Sequence, residues 1–107
     1  MTWDDVLDRI RNAGFEPVEE LYMEHYGKVL AVQRPEFRSR YFRCAYGVIR
    51  CGDQRIEVFL FPSEGHLQEF LEVIGPDPSW ISRGNAVLHS PESDPARLGA
   101  IAEALSG

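Results

Sequence analysis

Three histidines, two cysteines and a scatter of carboxylates are the groups in this 107-residue chain that could carry chemistry. His25, His66 and His89 lie too far apart for a local metal motif, whose ligands recur at short spacings. His66 falls near the start of an expected helix, where the positive end of the dipole disfavours its charged form. His89 ends an expected strand. Cys44 has Arg43 beside it, a cation that favours a thiolate, but a free cysteine is among the most buried residue types and behaves as a small hydrophobe. Cys44 and Cys51 stand seven positions apart on one expected strand. At about 3.3 Å per residue they are too distant for a disulfide, whose Cα atoms lie within roughly 7 Å, so both are read as reduced. Glu19 and Glu20 are adjacent, so on a strand they point to opposite faces and do not form an acid–base pair. No Gly-x-Ser-x-Gly elbow, phosphate-binding glycine loop or dinucleotide fingerprint is present. The expectation is no catalytic residue, no metal and no cofactor, and the chain leans away from being an enzyme.

Charge is distributed less evenly than the net value of −6 suggests. Between Arg34 and Arg55 six arginines face only Glu36 and Asp53, a local +4 that leaves −10 for the remainder. Phe37, Tyr41, Phe42 and Tyr46 are interleaved with these arginines, and stacking plus phosphate pairing is the chemistry of single-stranded nucleic-acid recognition. Arg38, Arg40 and Arg43 are the candidate anion-binding residues. Single-strand binders present a basic groove, and this chain is acidic overall, so the favoured reading is that the arginines decorate a sheet and neutralise nearby glutamates.

These groups must be positioned by a small set of elements. Thr2 and Asp5 have capping-box spacing, and Trp3, Val6, Leu7 and Ile10 recur at helical period, which predicts a helix over residues 3–13 closed by Gly14. Over Val18–Tyr26 a strand is expected, then a turn at Gly27 and a second strand over Val29–Val32 ended by Pro35. Residues 41–51 and 54–61 read as a hairpin with Gly52-Asp53 as its two-residue turn. That turn pairs Ile49 with Ile56, Gly47 with Val58 and Ala45 with Leu60 on one face. On the other it pairs Arg50 with Arg55, Val48 with Glu57, Tyr46 with Phe59 and Cys44 with Phe61. Ser63 caps a helix carrying Leu67, Phe70, Leu71 and Ile74, stopped at Gly75-Pro76-Asp77-Pro78. Trp80 and Ile81 are expected to anchor a loop, Ala86–His89 to form a short strand, and Asp94-Pro95 to start a last helix bearing Leu98, Ile101, Ala102 and Leu105. The fold class is therefore α+β in one domain, a two-layer sandwich of mostly antiparallel sheet with helices on one face, in the order α-β-β-β-β-α-β-α.

The string VIRCGDQRIEVFLFP, Val48 to Pro62, is similar to the hairpin of a group of small bacterial lipoproteins and related proteins of unknown function. RGNAVLHSPESDPARLGAIAEAL, Arg83 to Leu105, resembles the final strand, Asp-Pro cap and closing helix of the same group, and the first helix with Gly14 fits as well. The matching positions are core and turn residues, so the resemblance implies the fold and transfers no active site. Those relatives carry a lipidated cysteine after a signal sequence and a longer segment before the last strand, and neither is found here. The acidic start, Met1-Thr2-Trp3-Asp4-Asp5, has no apolar stretch behind it, and no run approaches the roughly 20 apolar residues of a membrane span. A cytoplasmic protein is expected.

The functional lead is the second face of the hairpin. Tyr46, Phe59, Phe61 and Phe42 would form an apolar centre with Arg50, Arg55 and Glu57 at its rim, the composition of a protein interface, unless the N-terminal segment or Trp80 covers it. The expected function is a non-catalytic interaction module that binds another protein or a second copy of itself. A polyanion binder acting through the arginine stretch is the alternative, and a small ligand-binding module or enzyme the third reading.

Overall fold

Thr2 starts the first helix, α1 (Trp3–Asn12), through a reciprocal cap: its hydroxyl accepts from the Asp5 N–H at 3.2 Å, and its own N–H donates to Asp5 Oδ2 at 2.9 Å. The helix ends where Gly14 adopts φ 95°, and the Phe15 N–H donates back to the Ile10 carbonyl at 3.3 Å. The computed structural model describes residues 1–29, 41–74, 80–90 and 95–106. Beyond α1 these form strands β1 (Pro17–Val29), β2 (Tyr41–Cys51) and β3 (Gln54–Leu60), then helix α2 (Glu64–Ile74). Strands β4 (Trp80–Arg83) and β5 (Ala86–His89) and helix α3 (Pro95–Ser106) follow. The fold is mixed α+β, with three helices and a five-stranded antiparallel sheet in the order β1-β2-β3-β5-β4.

The β2–β3 hairpin has the expected register from Cys51↔Gln54 through Ile49↔Ile56 and Gly47↔Val58 to Ala45↔Leu60, with Gly52 at φ 65° opening the turn. The two-residue turn needs a positive φ at its first position, which glycine adopts without steric cost, and the turn length then sets every pair beyond it. β3 pairs with β5 from Glu57↔His89 to Leu60↔Ala86.

Two local expectations change. No turn occurs at Gly27: it pairs with Arg43 inside β1, because β2 is long enough to partner the whole of β1, and register shifts between Glu19 and Leu21 and between Met23 and Tyr26 absorb its irregular pattern. Of the strand expected over Val29–Val32, only Val29, the end of β1, lies within the described residues. Trp80 and Ile81 are not loop anchors but β4, joined to β5 by a Gly84-Asn85 turn with Gly84 at φ 58°.

One sheet face carries Ile49, Cys51, Ile56, Val58, Leu60, Ala86 and Leu88. It packs against Val6, Leu7 and Ile10 of α1 and Leu98, Ile101, Ala102 and Leu105 of α3. Trp3 lies across Gly47, stacks on Tyr22 with ring centroids 4.9 Å apart, and donates its indole N–H to Glu19. The sandwich with helices on one face holds for α1 and α3 only. α2 lies on the opposite face, where Leu67 and Phe70 cover Cys44, Phe59, Phe61 and Val87. The physical reason is in the hairpin: its second face carries Phe59 and Phe61, which need cover of their own. Ser63 starts α2 on that side, accepting from the His66 N–H at 3.2 Å.

Candidate functional site

The second sheet face divides into a covered half and an open half. In the covered half Phe59 is 1% and Phe61 2% exposed. Phe59 packs against Phe70 and Trp80 at 6.2 and 5.6 Å between centroids, and Phe61 lies 5.0 Å from Phe70. The aromatic centre expected as an open interface is therefore an inner wall, sealed by α2 and Trp80. Tyr46 is half-buried beside Phe59 at 5.0 Å.

At the border of the two halves the β2–β3–β5–β4 register brings Tyr46, Glu57, His89 and Trp80 together. The Tyr46 hydroxyl donates to one oxygen of Glu57, and the other oxygen lies 3.1 Å from His89 Nδ1. Trp80 stacks on the imidazole at 3.9 Å and 21°. A carboxylate-held imidazole can act as a general base, but neither cavity described below is lined by Tyr46, Glu57 or His89. The hydrogen bonds of the cluster join β2, β3 and β5 by satisfying polar groups on a partly buried face. In sequence the cluster is invisible: Glu57 reads as a rim residue and His89 as a strand end. Their pairing depends on a β3–β5 register separated by all of α2, which no local spacing encodes.

The open half belongs to β1. Its register places Val18 opposite Arg50, Leu21 opposite Val48 and Met23 opposite Tyr46, so these three side chains share the second face. Val18 is 59%, Leu21 42% and Met23 38% exposed; with Tyr22 on the other side of the strand, they are the exposed large hydrophobics among the described residues. Beside them Arg50 Nε donates to Glu20 Oε1 at 2.7 Å, while Arg55 reaches the other Glu20 oxygen only at 3.8 Å. Two guanidinium groups thus share one carboxylate at the rim, as the expected Arg50–Arg55 pairing places them. The apolar set on β1 was hidden in sequence because the two register shifts break the period-two pattern that marks a strand face.

The remaining sequence candidates fall outside the described side chains or inside the core. Arg38 and Arg40 lie outside the described residues, and Phe42 and Arg43 are described only as backbone in β2, paired with Lys28 and Gly27. Cys44 and Cys51 are both buried thiols, and burial pushes the Cys51 thiol up, away from the thiolate. Burial, with Glu24 adding to it, likewise raises the Tyr22 phenol. Among the described residues no group of three or more His, Cys, Asp or Glu could hold a metal ion, and no helix is long and apolar enough to cross a membrane.

Two cavities open elsewhere in the described structure. One of about 440 Å³ opens beside Trp3, Tyr22, His25 and Cys44. One of about 390 Å³ lies between the end of α1, the β2–β3 turn and the first turns of α3, against Phe15, Gln54, Arg97 and Ile101. Comparison with models of protein families, with curated proteins and with solved structures finds no match for this chain.

Proposed function

We propose that this protein is a non-catalytic interaction module that docks another polypeptide, a partner or a second copy, on the β1 flank of its second sheet face. The observation that carries the reading is the concentration of exposed large apolar side chains on one strand: Val18, Leu21 and Met23 on a shared face, with Tyr22 behind them. Isolated exposed hydrophobics are ordinary, whereas three on one strand face, edged by arginines, have the composition of an interface centre and rim. Arg55, held at 3.8 Å from a carboxylate that Arg50 already engages, is the rim group with charge to offer, and it suits an acidic group on the incoming surface.

Docking on the face is favoured over strand addition at the edge. β1 borders the sheet, but its register shifts leave only Leu21 to Met23 in regular alignment between them, and bulges of this kind keep edges from recruiting strands. The test is affinity capture on the immobilised chain, comparing wild type with the Leu21→Lys/Met23→Lys double variant. Loss of the retained species in the variant supports the reading, and equal retention by both overturns it. Lysine is suited to the purpose because an edge strand accepts it at little cost to folding.

A further inference from the structure

We propose that the cavity of about 390 Å³ between the end of α1, the β2–β3 turn and α3 binds a small monocarboxylate with a compact apolar body. It lies on the α1/α3 face, opposite the β1 flank, and is independent of the docking reading. Its size falls within the roughly 300–1,000 Å³ of small-molecule sites. Phe15, Ile101 and Cys51 supply apolar walls, the thiol being kept neutral by burial.

The polar groups give the ligand its chemistry. Gln54 lines the cavity, is only 6% exposed, and its Nε2 has no hydrogen-bond partner. Buried donors are almost always matched, and this one, with almost no accessible surface of its own, is packed out of reach of the opening and lacks an acceptor. The terminal torsion of glutamine is soft, and the amide can turn its N–H toward a ligand while its stem stays packed. Arg97, also in the wall, is held only by an exposed contact of 3.5 Å to Asp53 and is free to reach an anion. It stands in the first turn of α3, whose positive end adds to the attraction. Among the described residues the wall holds one cation, Arg97, and one carboxylate, Glu16. A first carboxylate pairs with Arg97 while a second finds no cationic partner and faces Glu16, which favours a monoanion over a dianion. A carboxylate satisfies these terms together: one oxygen accepts from Gln54, the other pairs with Arg97, and the apolar body lies on Phe15 and Ile101.

The experiment is an NMR titration of the full chain with acetate, butyrate, hexanoate and phenylacetate, alongside phenylacetamide and phenylmalonate. The expected result is saturable shifts of the Gln54 side-chain amide and of Arg97 and Ile101 with the longer monocarboxylates. The amide and the dianion should bind about ten-fold more weakly or worse, and Gln54→Met and Arg97→Gln should each weaken phenylacetate about ten-fold. Arg97 is exposed, so Arg97→Gln leaves the fold intact and keeps the test decisive if Gln54→Met perturbs packing. No saturable shift at millimolar monocarboxylate, equal binding of phenylacetamide, or an Arg97→Gln variant that binds as wild type would overturn the proposal.

Discussion

Replacing Gly47 with alanine would place a methyl group inside the six-membered ring of Trp3. The added Cβ would stand 2.3 Å from Cη2, 2.5 Å from Cζ3 and 2.9 Å from Cζ2. Carbon atoms settle about 3.5–4.0 Å apart, so the ring must retreat by about 1.2 Å or more. It has little room to do so, being stacked on Tyr22 and tied to Glu19 through its indole N–H, with its side chain 7% exposed in the core. Overpacking of this kind costs about 1–3 kcal/mol, and a braced aromatic ring puts Gly47→Ala at about 3. For a chain of this size that lowers the melting temperature by about 10–20 °C. The backbone itself is no obstacle, since Gly47 is not among the positive-φ glycines. The assay is urea unfolding followed by far-UV circular dichroism, in the wild-type and Trp3→Leu backgrounds. With the indole gone, alanine should cost less than about 1 kcal/mol, or even stabilise by restricting the unfolded chain. A Gly47→Ala variant within about 0.5 kcal/mol of wild type, or a penalty that persists in the Trp3→Leu background, would refute the packing of Trp3 over this strand.

Three further outcomes follow from burial and hydrogen bonding. Gln54→Met removes an unmatched buried donor at nearly constant volume and should stabilise the free protein by about 1–2 kcal/mol in denaturant titration; a loss of stability would show that the amide is matched. Phe59→Ala should cost about 3–5 kcal/mol, whereas Leu21→Lys and Met23→Lys should each change stability by less than about 1 kcal/mol, the contrast separating wall from surface. The Thr2 backbone N–H, then its hydroxyl, hold the Asp5 carboxyl below its ordinary value of 3.8. The sign is that of a depressed acid: its contribution is fully present above 3.8 and is lost as pH falls through the lower folded value. Asp5→Asn should therefore flatten the acid limb of the stability–pH curve and leave its shape near neutrality unchanged.

Much of the fold was legible because its determinants are local. The Thr2–Asp5 cap, the apolar stripe of α1 and the Gly14 stop lie within one short segment, and the Gly52-Asp53 turn propagates its register along the whole hairpin. Gly84-Asn85 carries the same kind of signal, but the four-residue strands it joins are too short to display a period, so β4 looks like a loop in sequence. The side taken by α2 was not legible. Its apolar stripe and the two-faced hairpin were both visible, yet an amphipathic helix fits either face of a sheet, and only the full packing decides. That choice moved Phe59 and Phe61 from candidate interface to core, and left Val18, Leu21 and Met23 as the open remainder of the same face. The contacts of Glu57 with Tyr46 and His89, and the unmatched amide of Gln54, depend on three-dimensional neighbours and carry no signature in spacing.

Quantitative affinity capture is the most direct test of the β1 flank as the docking surface. The immobilised wild-type chain and its Leu21→Lys/Met23→Lys variant would be exposed to source-cell extract supplemented with untagged copies of the chain. Burying two anchor side chains contributes about 1–2 kcal/mol each, so at least one species, a partner or the untagged chain, should be retained by wild type and reduced ten-fold or more by the variant. Retention of the same species in equal amounts by both proteins, or of none by either, would contradict the account.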